Sequence, residues 1–151
     1  MSSKPVIAFA CDHGGFPLRN AVIAHLENKG YQVLDFGCNT PERCDYPPRA
    51  EAACRAVVRG DASLALLICG TGIGMSMAAN KIHGIRAACC SDTYSAAMTR
   101  RHNDANVLCM GARVIGEGLA LEILDAFLDS SFEGGRHAER VSMISALEKK
   151  G

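Results

Sequence analysis

A thiol followed by three glycines in five residues, Cys69-Gly70-Thr71-Gly72-Ile73-Gly74, sets a nucleophile or base at the mouth of a turn. The N–H groups of such a turn are free to converge on an anion, and the same dipoles favour a thiolate at its first position. The run lacks the Lys-Ser/Thr ending of a P-loop and departs from GxGxxG. No acidic residue at the end of the second strand reads as well placed for a ribose, so a nucleotide cofactor is disfavoured. Asp12 and His13 stand just before Gly14-Gly15, an acid and an imidazole ahead of a helix. Asp12 is equally a plain helix cap. His102-Asn103-Asp104 adds a second imidazole, which read alone is a surface histidine. Arg136 and Arg140 are four apart and share a helical face, and with Arg113 they form a set suited to clamping a phosphate dianion. A solvated face with salt bridges to Glu133 or Glu139 accounts for the same spacing.

Five aliphatic runs stand ready to position these groups: Val6–Cys11, Tyr31–Phe36, Leu64–Cys69, Ile85–Cys90 and Ala105–Met110. Each reads as a strand buried on both faces. Helical spacing fills the intervals, as in Leu18, Val22, Ile23 and Leu26 before Gly30, and again near 47–59, 72–82, 93–101 and 117–129. Strand alternating with helix predicts right-handed βαβ units, hence a doubly wound α/β fold: a five-stranded parallel sheet with helices on both faces. Residues 1–151 read as one domain. With strand order 2-1-3-4-5 the topological reversal lies between strands one and three, where Asp12 and Cys69 end their strands. After Glu133-Gly134-Gly135 an extra C-terminal helix is expected at 136–150, its apolar Val141, Ile144 and Leu147 free to pack on the domain or on a partner subunit.

Sixteen Lys plus Arg against sixteen Asp plus Glu leave no basic excess for a nucleic-acid backbone. No apolar run approaches the roughly 20 residues that span a bilayer, and Met-Ser-Ser-Lys-Pro leads into a strand rather than a signal-peptide core, so a cytoplasmic location is expected. Eight cysteines with no CxxC spacing, in a chain rich in aliphatic residues, predict reduced thiols rather than a disulfide framework or a metal centre. Cys11, Cys54, Cys89, Cys90 and Cys109 read as small buried or half-buried hydrophobes.

The chain resembles the ribose-5-phosphate isomerase B family, which includes galactose-6-phosphate and allose-6-phosphate isomerases. The resemblance rests on CDHGG at 11–15, DYP at 45–47, ICGTGIGMSMAANK at 68–81, GIRA at 84–87, RHNDANVL at 101–108, GAR at 111–113 and EGGRHAER at 133–140. It implies an aldose–ketose isomerase acting on a sugar phosphate, ribose 5-phosphate first, without metal or cofactor. Cys69 is then the base at C2, and the N–H groups of Gly70, Gly72 and Gly74 meet the enediolate. Thr71 and Asp12 handle the protons on O1 and O2, and His102 opens the sugar ring. Asn103 and Tyr46 hold hydroxyls, while His13, Arg113, Arg136 and Arg140 hold the phosphate. A homodimer or dimer of dimers, with sites built from two subunits, is implied as well. An allose, galactose or tetrose phosphate keeps the chemistry and changes the sugar. A non-catalytic phosphate- or nucleotide-binding module, or a redox or metal-binding protein, are the readings of other classes.

Overall fold

The computed structural model describes residues 4–150. Strands β1 (Val6–Cys11), β2 (Gln32–Asp35), β3 (Leu64–Cys69), β4 (Ala87–Cys89) and β5 (Val107–Gly111) alternate with helices α1 (Phe16–Asn28), α2 (Tyr46–Arg59), α3 (Ile73–Ala79), α4 (Thr93–Asn103) and α5 (Glu117–Leu128). Helix α6 (Arg136–Ala146) closes the chain and tightens into a 3-10 turn at Leu147–Lys149, so the expected last helix is shorter than 136–150.

All strands are parallel, in the order β2-β1-β3-β5-β4. The expected 2-1-3-4-5 is corrected in its last two positions: β5 inserts beside β3 and β4 takes the edge. The reason is burial. Every residue of β5 is buried, whereas Ala87–Cys89 is three residues long with Cys89 exposed. Strands β2 and β4 are therefore edges rather than strands buried on both faces, and Cys89 is not a core residue. The reversal between β1 and β3 stands, because β2 lies to one side of β1 and β3 to the other.

Side chains alternate across the sheet into two cores. Ile7, Phe9, Leu66, Ile68, Leu108 and Met110 pack with Val22 and Leu26 of α1 and with Ile123, Leu124 and Phe127 of α5. On the other face Ala8, Ala10, Ala65, Leu67 and Val107 meet Ala50, Ala53 and Cys54 of α2 and Met75 and Ala79 of α3. The second core is built mainly from small residues, so α2 and α3 sit close to the sheet and Cys69 points into that layer. Register sets Cys11 beside Ile68 and Cys69 beside Gly111, which brings the loops after β1, β3 and β5 to one edge.

Candidate active site

Asp12, Tyr46, Cys69, Thr71 and Arg113 line a cleft of about 460 Å³ at the carboxyl ends of β1 and β3, with Ile73 and Met77 as its apolar lip. Cys69 is 5% exposed, and its Sγ accepts the Gly72 N–H at 3.1 Å. Gly72 has φ +81°, and a Cβ there would meet the Met110 carbonyl carbon at 2.8 Å, so only glycine aims this N–H back at the sulfur. Thr71 Oγ1 accepts the Ile73 N–H at 3.2 Å, and the Arg113 N–H donates to the Gly70 carbonyl at 3.0 Å. Asp12 is 6% exposed, with Oδ1 accepting the Gly15 N–H at 3.0 Å. It braces the turn one step before α1, whose N-cap is Gly15 rather than the aspartate.

Tyr46 reaches the cleft because Asp45-Tyr46-Pro47-Pro48 starts a helix: Asp45 is extended at the N-cap and proline follows where no intrahelical N–H is needed. Its ring lies across Gly74, where a Cβ would stand 2.7 Å from Cζ. His13 is not among the residues lining the cleft; its Nδ1 is 3.2 Å from the Cys44 carbonyl oxygen and 3.3 Å from the Cys44 amide nitrogen. Asp35 ends β2. It pairs with Arg19 and accepts the Gly37 N–H at 2.9 Å, so its oxygens are engaged in shaping the loop.

The remaining expected site residues line no part of this cleft. His102 and Asn103 end α4, whose Asp104 cap takes φ 48°. The Arg86 guanidinium holds that turn by donating to the carbonyls of Asn103 and Asp104 at 3.1 and 2.8 Å. Glu133 N–H donates to the Arg101 carbonyl at 3.0 Å, tying the loop ahead of α6 to α4. The His102 and His137 rings stack at 4.2 Å between centroids, and their Nε2 atoms lie 3.6 and 3.8 Å from Glu133 Oε1. Desolvation, then the nearby His102 and Arg136, hold the His137 imidazole below its ordinary pKa. Glu133 thus serves the histidines; Arg136 and Arg140 are exposed and have no ion-pair partner among the described residues. A larger cavity, about 770 Å³, lies between the β4 edge and α6 and includes Asn103, Ile144 and Leu147. It holds no thiol, whereas the smaller cleft holds Cys69.

Sequence reasoning passed over Ile73, Met77 and His137. The first two are four apart on α3 and half or more exposed, and Glu133-His137 has the same i, i+4 spacing. Burial pushes Cys11 and Cys54 up to about 12 and Cys90 to about 11, which keeps them protonated as small apolar side chains. All eight cysteines are free thiols.

Comparison with known proteins agrees with this arrangement. The family described as Ribose/Galactose Isomerase matches residues 7–144. Ribose-5-phosphate isomerase B of Escherichia coli (strain K12) is 51% identical over 144 residues, covering 95% of this chain and 97% of that one. The structure of Clostridium thermocellum ribose-5-phosphate isomerase B superposes with a TM-score of 0.95 at 48% identity, over 96% of this chain and 98% of its own. Ribose-5-phosphate isomerase B from Mycoplasma genitalium with bound ribulose-5-phosphate gives a TM-score of 0.92 at 40% identity, over 97% of each chain. With a matching fold, the full set of motifs and near-complete coverage in both directions, the chain belongs to the ribose/galactose isomerase family.

Proposed function

We propose that the chain interconverts D-ribose 5-phosphate and D-ribulose 5-phosphate through an enediolate, with Cys69 as the base. The observation that carries this reading is the Cys69 sulfur, 3.1 Å from a backbone N–H, in one cleft with Asp12, Thr71 and Arg113. In the aldose direction the Cys69 thiolate takes the proton from C2. Negative charge develops on O1 and is met by N–H groups of the Gly70–Gly74 turn. The same thiol returns its proton to C1 while the O2 proton is lost, leaving a carbonyl at C2; Asp12 and Thr71 relay the oxygen-bound protons. The bound ribulose-5-phosphate of the Mycoplasma genitalium protein supports a pentose phosphate as the ligand.

His102, Asn103, Arg136 and Arg140 lie outside the cleft of their own chain, and we propose that they complete the cleft of a second copy in a homodimer. There His102 opens the furanose by general acid–base transfer and the arginines take the phosphate. Met143 and Ile144 of α6 and Leu147 of the turn after it, at 67, 47 and 61% exposure, provide apolar surface for that association. The test is kcat/KM on aldose phosphates of four, five and six carbons with chelator present. The five-carbon substrate is expected to lead, and a six- or four-carbon leader would replace ribose as the substrate. Absence of turnover on all of them would favour a binding module.

A further inference from the structure

His102, Glu133 and His137 bring three donor atoms of metal-ligating type within 4.8 Å of one another, outside the cleft that holds Cys69. Zinc bonds to imidazole nitrogen and carboxylate oxygen of about 2.0–2.1 Å put neighbouring ligands of a tetrahedral ion roughly 3.3–3.4 Å apart. The two Nε2–Oε1 separations here, 3.6 and 3.8 Å, are a few tenths of an ångström from that edge. The backbone under the cluster is held at both ends: Glu133 by its N–H bond to Arg101, and His102 by the Arg86 grip on the end of α4.

We propose that His102, Glu133 and His137 form an inhibitory site for a zinc-type divalent ion, three protein ligands with a fourth position open to water. Two imidazoles and one carboxylate select zinc, copper or nickel over magnesium and calcium. The ion takes no part in catalysis; it withholds His102 from it. A metal on His102 Nε2 occupies the lone pair that ring opening uses, so the inhibitory effect rests on the role given to His102 above. Two features limit the affinity. A metal lies in the plane of its imidazole, so the parallel rings, 9° apart, must tilt out of their stack on binding. The His102 side chain, 39% exposed, has the freedom to turn. The neighbouring Arg136 and Arg140 repel a cation, which makes the site one for a metal with strong nitrogen affinity rather than a general cation site.

Equilibrium dialysis of the full chain against zinc, with thiols kept reduced, tests the site. One zinc per chain is expected, with affinity lowered at least about tenfold in both Glu133→Gln and His137→Gln. Cobalt substituted for zinc is expected to give the visible absorption of a tetrahedral centre without a thiolate charge-transfer band. Unchanged zinc binding in both variants, or a thiolate band, moves the metal to the cysteines and overturns the site. For the inhibitory effect, rates on a cyclic substrate and on an obligatorily open-chain one are compared with and without zinc, each variant against its own metal-free rate. Selective loss on the cyclic substrate, relieved in both variants, is expected. Zinc bound at the cluster with no loss on either substrate overturns the inhibition and with it the ring-opening role; a substrate panel without any turnover counts instead against the isomerase reading itself.

Discussion

The cleft around Cys69 and the surface around His102 are made by different means. In the cleft the backbone does most of the positioning: a left-handed glycine aims an N–H at the sulfur, and an aspartate that is 6% exposed braces the neighbouring turn. On the α4–α6 surface the work falls to side chains at helix ends, a half-exposed His102 stacked on a buried His137 beside the exposed Glu133, Arg136 and Arg140. A reaction centre that must stabilise developing charge needs fixed dipoles and little water. A surface that lends groups to another copy needs reach and solvent-facing side chains instead. Each region lacks what the other has, and the proposed dimer joins them.

The comparison breaks first at Cys69. Cys69→Ala is expected to lower kcat by about 10³-fold or more with the thermal midpoint nearly unchanged. A variant that still turns over with chelator present removes the thiol from the mechanism. Mixing that variant with His102→Asn is the sharper form of the test. If the two regions serve one site across a two-fold axis, random exchange of subunits gives half mixed dimers, each with one intact site, and recovers about a quarter of the wild-type rate. No recovery after verified exchange means that each chain uses its own His102.

His102→Asn alone is expected to cost about 10²–10⁴-fold on a cyclic substrate and much less on one that is held open. Equal losses on both would make the histidine a structural part of the α4–α6 surface. A smaller effect is expected at Gly74. Gly74→Ala puts a Cβ against the Tyr46 ring, so KM rises more than kcat falls, and overpacking costs about 1–3 kcal/mol, seen as a thermal shift of roughly 2–4 °C per kcal/mol. An unchanged KM would take Tyr46 out of substrate binding.

The smallest effect lies outside both regions and serves as their control. Although burial pushes Asp125 up, Lys29 and His25 bonded to it hold its pKa below the ordinary 3.8. A carboxylate depressed in the folded state contributes stability that is present above the unfolded value and is lost as pH falls through the folded one. Asp125→Asn is therefore expected to cost under about 1 kcal/mol of stability near neutral pH, for a partly exposed pair, and so to lower the thermal midpoint slightly. The difference should vanish in acid. Turnover should not follow it, and a variant that changes kcat would show that the α1–α5 contact reaches the site.

Much of this was legible in the residues. The ends of β1 and β3 match the apolar runs Val6–Cys11 and Leu64–Cys69, because a strand buried on both faces needs unbroken apolar residues. The place of Cys69 at a glycine turn followed from the same run. The seven motifs identified the family before any coordinate. The order of β4 and β5 was not legible, since Ile85–Cys90 and Ala105–Met110 are similarly apolar and only packing decides which is covered on both sides. Cys89 was misread for that reason.

Local chemistry, then, is what the sequence determined by itself: that a glycine turn follows β3, and that the thiol of Cys69 stands at that strand's end. These depend on neighbours within a few residues, where backbone sterics and hydrogen bonding act directly. The tertiary structure alone decided which distant groups meet. It set Tyr46 over Gly74, His102 on His137, and Arg136 and Arg140 apart from Arg113, because those contacts are fixed by how helices pack on a sheet and not by their spacing along the chain.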